Sequence, residues 1–164
     1  MNIQELLFYA DKRLQEALRD LPPESLDTPG VCGVWSVKDI LSHLTACEHQ
    51  TEEVLLAFTG GGEMPTLTRV KRMGQHKWNT YEVESRKALP IASILNEYLS
   101  AYEHTLKQIE QIPDEVFSQR GTIPWYGEQY ALDDYLAYSQ YGHKCEHGAQ
   151  INVFKDALKA AQGT

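Results

Sequence analysis

Apolar residues recur at three- and four-residue spacing along four separate stretches of this chain, and that periodicity leaves little choice of fold. In the first stretch, Ile3, Leu6, Leu7, Ala10, Leu14, Ala17, Leu18 and Leu21 line one face of a helix. Asn2 with Glu5 has the spacing of a capping box, and Pro22-Pro23 predicts the helix end because neither proline donates a backbone N–H. The second helix is predicted to start at Ser36-Val37-Lys38-Asp39, a capping hydroxyl followed by a carboxylate, with Trp35 placed outside as a staple. Its stripe is Val37, Ile40, Leu41, Leu44, Cys47, Leu55 and Phe58, and Gly60-Gly61-Gly62 closes it. No strand precedes those glycines and no Gly-Lys-Ser/Thr follows them, so they do not read as a phosphate loop.

The third helix is expected from about Pro90 to Ile112, ended by Pro113-Asp114-Glu115, and the fourth from about Leu132 to Ala161. Between helices two and three, Glu63 to Leu89 is the least regular stretch, with a basic cluster at Arg69, Lys71 and Arg72 and one short helix around Val70–Glu84. A connection of that length crosses a bundle instead of joining neighbours. Thr122 to Tyr130 is aromatic and irregular, a hairpin-like arm. The expectation is an all-α fold: one four-helix-bundle domain over residues 1–164 with a long crossover between helices two and three.

Charge narrows the partners. Fifteen Lys+Arg stand against 23 Asp+Glu, a net charge of −8, which repels nucleic acid and anionic membrane. No apolar run approaches the ~20 residues of a membrane span. Met1-Asn2-Ile3-Gln4-Glu5 lacks the basic start of a signal peptide. Cys32, Cys47 and Cys145 are too few and too odd in number for a disulfide scaffold, so the expected location is the reducing cytoplasm.

The fourth helix carries the chemistry. On a wheel of about 100° per residue, Leu132, Leu136, Ile151, Phe154 and Leu158 form one stripe, and His143 and His147 fall within it. Ser139, Gln140 and Gln150 lie on or beside that face, whereas Cys145 points the other way. Two core imidazoles need partners, which are either hydrogen-bonding side chains and water or a shared metal ion. His43 on helix two, beside Cys47, is the candidate third ligand, and three histidines with an open position suit a catalytic site. Cys47 reads better as a small buried apolar side chain than as a ligand. His49 and His104 fall on polar helical faces and His76 in the irregular stretch, where solvated histidines are expected. His143 to His147 also matches the H-x-x-E-H peptidase pattern with Glu146 as base, but no glutamate follows Glu146 to complete that ligand set.

These residues resemble the DinB-like four-helix-bundle superfamily, which includes thiol-dependent transferases and mycothiol-dependent maleylpyruvate isomerases. The resemblance rests on Gly33-Val34-Trp35-Ser36-Val37-Lys38-Asp39-Ile40-Leu41-Ser42-His43-Leu44 and on Tyr141-Gly142-His143-Lys144-Cys145-Glu146-His147-Gly148-Ala149-Gln150-Ile151. It implies a divalent metal, often nickel or zinc, held by His43, His143 and His147, and it implies a homodimer. Ala131 departs from the Ser or Thr that often caps the family's last helix.

Two functions follow as expectations. One is a metal-dependent transferase or hydrolase acting on a small molecule, with a low-molecular-weight thiol as a candidate cofactor and Glu48 and Glu146 as candidate catalytic carboxylates. The other is a non-catalytic metal- or ligand-binding protein of stress or detoxification. Trp125, Tyr126 and Tyr130 are candidates for a pocket mouth, and exposed aromatics (Tyr98, Tyr102, Tyr138) add to the expectation of a homodimer. An ordinary histidine pKa near 6.5 predicts metal release between roughly pH 7 and pH 6.

Overall fold

The computed structural model describes residues 2–162. The fold is an all-α helical bundle, and no strand occurs among the described residues. Four helices are long: α1 (Ile3–Leu18), α2 (Val37–Leu56), α5 (Ile91–Ile109) and α8 (His143–Gln162). Shorter ones are α3 (Pro65–Met73), α4 (Gln75–Ser85), α6 (Asp114–Phe117) and α7 (Leu132–Leu136). No helix among the described residues is long and apolar enough to cross a membrane. The chain divides into two compact units, one holding the described residues up to Ile40 and from Leu136, the other Leu41–Tyr135.

In the first unit α1 packs against α8. Asn2 Oδ1 accepts the Glu5 N–H at 3.1 Å, the expected cap. The helix ends earlier than Pro22-Pro23 predicts, because Asp20 takes a left-handed conformation at φ 62° and the chain has already left the helix at Arg19. Lys155 of α8 closes that end by donating to the carbonyls of Arg19 at 2.8 Å and Glu16 at 3.3 Å. The start of α2 is the capping box read from sequence. Ser36 Oγ accepts the Asp39 N–H at 3.2 Å while Asp39 Oδ2 accepts the Ser36 N–H at 3.0 Å.

The fourth predicted helix is not one continuous α-helix. After α7, residues Ala137–Gly142 form a π-helical segment, and α8 begins at His143. Gly142 ends that segment, and a Cβ there would meet the Ala137 carbonyl oxygen five residues back at 3.4 Å, an ordinary contact. The wider turn breaks any constant-angle wheel drawn from Leu132 to Leu158. Within α8, Ile151 is buried and Phe154 and Leu158 are half-buried. Ala131 offers no capping hydroxyl, yet its N–H donates to Asp134 Oδ2 at 2.9 Å, which supplies half of a capping box to α7.

The second unit corrects two further expectations. The stretch expected to hold one short helix contains both α3 and α4, separated at Gly74 with φ 78° and ψ 150°. Tyr98 and Tyr102, expected on an exposed face, are buried on α5 with their rings stacked 6.4 Å apart, and only Tyr138 of the three is exposed, at 74%. The aromatic arm is closed by the Gly121 N–H donating to the Tyr130 carbonyl at 2.8 Å, without a strand pair. Tyr126 and Trp125 meet Tyr135 edge-on at 5.2 and 5.9 Å, which leaves Trp125 and Tyr130 partly in solvent.

Candidate metal centre

Polar residues are buried on more than one side of α2: Ser42, His43, Thr45, Glu48 and Thr51 are all buried, although Ser42 and Thr51 lie on opposite sides of the helix. His43 lies one turn before Cys47, whose Sγ is 3.8 Å from Nε2 and 3.9 Å from Nδ1. The sulfur is thus nearly equidistant from both ring nitrogens and not aimed at either one. Cys47 is half-buried, more open than an apolar core filler. Glu48 is completely buried, and its Oε2 accepts from Thr105 Oγ1 of α5 at 3.3 Å. A carboxylate in such surroundings needs hydrogen bonds or a nearby cation to remain ionised.

On α8, His143 and His147 come together. Their Nε2 atoms are 3.0 Å apart and the ring centroids 4.7 Å, as i and i+4 side chains on one helical face permit. His147 Nδ1 stands 2.8 Å from Gln150 Oε1, and the Ser139 backbone hydrogen-bonds the His143 ring. Burial pushes the His143 pKa down to about 4, helped by the proximity of His147 and Lys144. Burial also lowers the His147 pKa, with Gln150 and Glu146 opposing the shift. Both rings are therefore neutral near pH 7, the protonation state in which imidazole ligates a metal. Two nitrogens each about 2.1 Å from one ion stand about 3.0 Å apart at a right angle and about 3.4 Å apart at the tetrahedral angle, so the pair is spaced to meet a divalent cation after at most a small adjustment. Glu146 is exposed, and Cys145 lines a cleft against α1 with Tyr9, Lys12 and Arg13.

The other histidines differ from one another. His76 is exposed, and His104 is mostly in solvent with Nδ1 3.0 Å from Glu52. His49 is not simply solvated. It is held between Glu52 at 2.7 Å and Glu97 at 3.0 Å, and the hydrogen bond with Glu52 raises its pKa despite partial burial. Glu97 also accepts from the buried Arg86 at 2.7 Å, and Arg86 donates to Glu82 at 2.8 Å. The spacings of Glu82 to Arg86 and of His49 to Glu52 were available in the sequence, but the link from α2 and α4 to Glu97 on α5 was not.

The sequence model of the mycothiol maleylpyruvate isomerase N-terminal domain family matches residues 7–130. The chain belongs to that family, within the DinB-like superfamily. The matched span contains His43, Cys47 and Glu48 and ends before the π-segment, so His143 and His147 lie beyond it. No curated protein and no solved structure matches the chain.

Proposed function

We propose that this protein is a divalent-metal-dependent enzyme that uses a low-molecular-weight thiol to transform a small electrophilic molecule. The single observation that carries this reading is the pair of neutral histidines on α8 with Nε2 atoms 3.0 Å apart. In this reading His143 and His147 ligate nickel or zinc, and His43, with Cys47 beside it, is the third ligand that the DinB-like resemblance implies. The family supports thiol chemistry, because its name joins mycothiol to a maleylpyruvate isomerase. A bound divalent ion supplies Lewis acidity, which lowers the pKa of a thiol or a water near neutral pH. Glu48, buried and oriented by Thr105, is a better carboxylate for proton handling than the exposed Glu146. The whole chain acts in this reading as one DinB-like domain, and it pairs as a homodimer on the strength of the family resemblance.

Metal analysis of untagged protein expressed with nickel and zinc supplied tests the reading. The expected result is one divalent ion per chain, lost in a His143→Ala/His147→Ala double variant, with thiol transfer to small electrophiles that a chelator stops. Metal-free protein under those conditions, or metal retained by the double variant, rejects it.

A further inference from the structure

We propose that Gln150 is a positioning residue that holds His147 as its Nδ1–H tautomer, so that Nε2 is the nitrogen His147 presents for ligation. The inference rests on the metal reading above but concerns a hydrogen bond that exists without the ion. Gln150 follows His147 by three residues on α8, and its Oε1 lies 2.8 Å from His147 Nδ1. A carboxamide oxygen carries no proton, so the ring must donate from Nδ1. In a neutral imidazole the other nitrogen is then an acceptor with its lone pair exposed. That nitrogen, Nε2, points at the Nε2 of His143 across 3.0 Å.

The His143 ring has its own acceptor in the Ser139 backbone, within the π-segment that precedes α8. His147 Nε2 is then the acceptor side of the 3.0 Å contact with His143 Nε2. An Nε2–H on His147 would occupy the position from which that nitrogen ligates. The opposite orientation of the Gln150 amide would present N–H groups to Nδ1 and move the His147 proton onto Nε2, into the ligand position. The direction of one amide therefore decides which nitrogen of His147 carries the proton. Outer residues of this kind fix ligand orientation at metal sites generally.

The test uses metal-free, ¹⁵N-histidine-labelled protein near pH 7.5, with two-bond ¹H–¹⁵N correlations that identify the protonated nitrogen of each ring. Wild type is expected to show His147 protonated at Nδ1 and bare at Nε2. Gln150→Glu retains an acceptor and should keep that tautomer. Gln150→Leu removes the acceptor, and it should populate the Nε2–H form and weaken Zn²⁺ or Ni²⁺ binding about 10- to 100-fold at unchanged helix content. A wild-type His147 protonated at Nε2 overturns the proposal, as does a folded Gln150→Leu protein with unaltered tautomer and affinity. If Gln150→Leu does not fold, the wild-type and Gln150→Glu spectra still decide. A wild type that binds no metal overturns the functional reading alone, and the tautomer spectrum continues to judge Gln150.

Discussion

Glu53 closes the N-terminus of a helix that begins twelve residues after it. Its two carboxylate oxygens accept the backbone N–H groups of Thr66 at 2.8 Å and Leu67 at 2.7 Å, in the first turn of α3. A buried anion thereby satisfies two of the donors that any helix start leaves open and faces the positive end of the helix dipole. Met64, the residue in the capping position, makes no side-chain hydrogen bond of its own.

Removing that cap should loosen α3 specifically. Glu53→Ala is expected to destabilise the protein by about 2–3 kcal/mol, because two charge-assisted hydrogen bonds are lost and two N–H groups lose their acceptor. Glu53→Gln should cost less, since one amide oxygen can still accept. Urea unfolding with hydrogen exchange at Thr66 and Leu67 measures both. An Ala variant as stable as wild type, with equally protected amides, contradicts this account.

This relationship also explains where sequence reading stops. The caps at Asn2 and Ser36 are local, with donor and acceptor three residues apart, and both were legible. The cap of α3 comes from another helix, so the only local start signal is Pro65, with no capping side chain beside it, and the stretch reads as irregular. The extent of α5 was legible, but the burial of Tyr98 and Tyr102 was not, because a tyrosine suits either environment. The pairing of His143 with His147 followed from i, i+4 spacing, whereas Gln150 became informative only when its oxygen could be placed against Nδ1. The π-segment left no periodic trace beyond a glycine at 142, which is common enough in helices to pass unread.

The Arg86 network should show opposite pH limits on its two sides. Arg86 and His49 lower the Glu97 pKa against the effect of burial, so the contribution of Glu97 is present above the ordinary carboxylate range and is lost as pH falls through its folded value. Glu52 raises the His49 pKa, so that contribution is full below the ordinary histidine value of 6.5 and is lost as pH rises through the folded one. The network is therefore strongest between about pH 4.5 and 6.5. His49→Gln should remove the alkaline decline while leaving the acid one. Arg86→Met should cost about 3 kcal/mol near pH 6, since it leaves Glu82 and Glu97 without their shared cation. Urea midpoints from pH 4 to 8 provide the comparison, and superimposable profiles for wild type and His49→Gln would count against the clasp.

The α8 histidines set a different acid limit. Folding holds both below their ordinary pKa, so the unfolded chain binds more protons and stability must decline as pH drops from about 6.5 toward 4. The slope is at most about 1.4 kcal/mol per pH unit for each histidine. The same shifts move proton competition for a bound ion to lower pH than the window of roughly 7 to 6 expected from reference values. Metal release followed by a chromophoric chelator should accordingly begin below pH 6.5. Half-release at pH 6.5 or above would show that the rings protonate as solvent-exposed histidines do.

The last prediction separates the metal from the thiols of the protein itself. Cys145 is on the side of α8 that faces α1, lining a cleft with Tyr9, Lys12 and Arg13, while the paired Nε2 atoms belong to His143 and His147. Cys32 sits in the turn before α2, where its backbone bridges to Trp35. A base is one way to activate a cysteine nucleophile, and the neutral imidazoles of α8 have their Nε2 atoms turned toward each other instead. Cys32→Ser and Cys145→Ser should thus keep thiol-transfer activity within about twofold, a change of less than ~0.5 kcal/mol in the barrier. His147→Ala should abolish it, and so should chelation. Activity that survives both of those treatments yet disappears when Cys145 is alkylated would make this a thiol enzyme, with the histidine pair serving only the packing of α8.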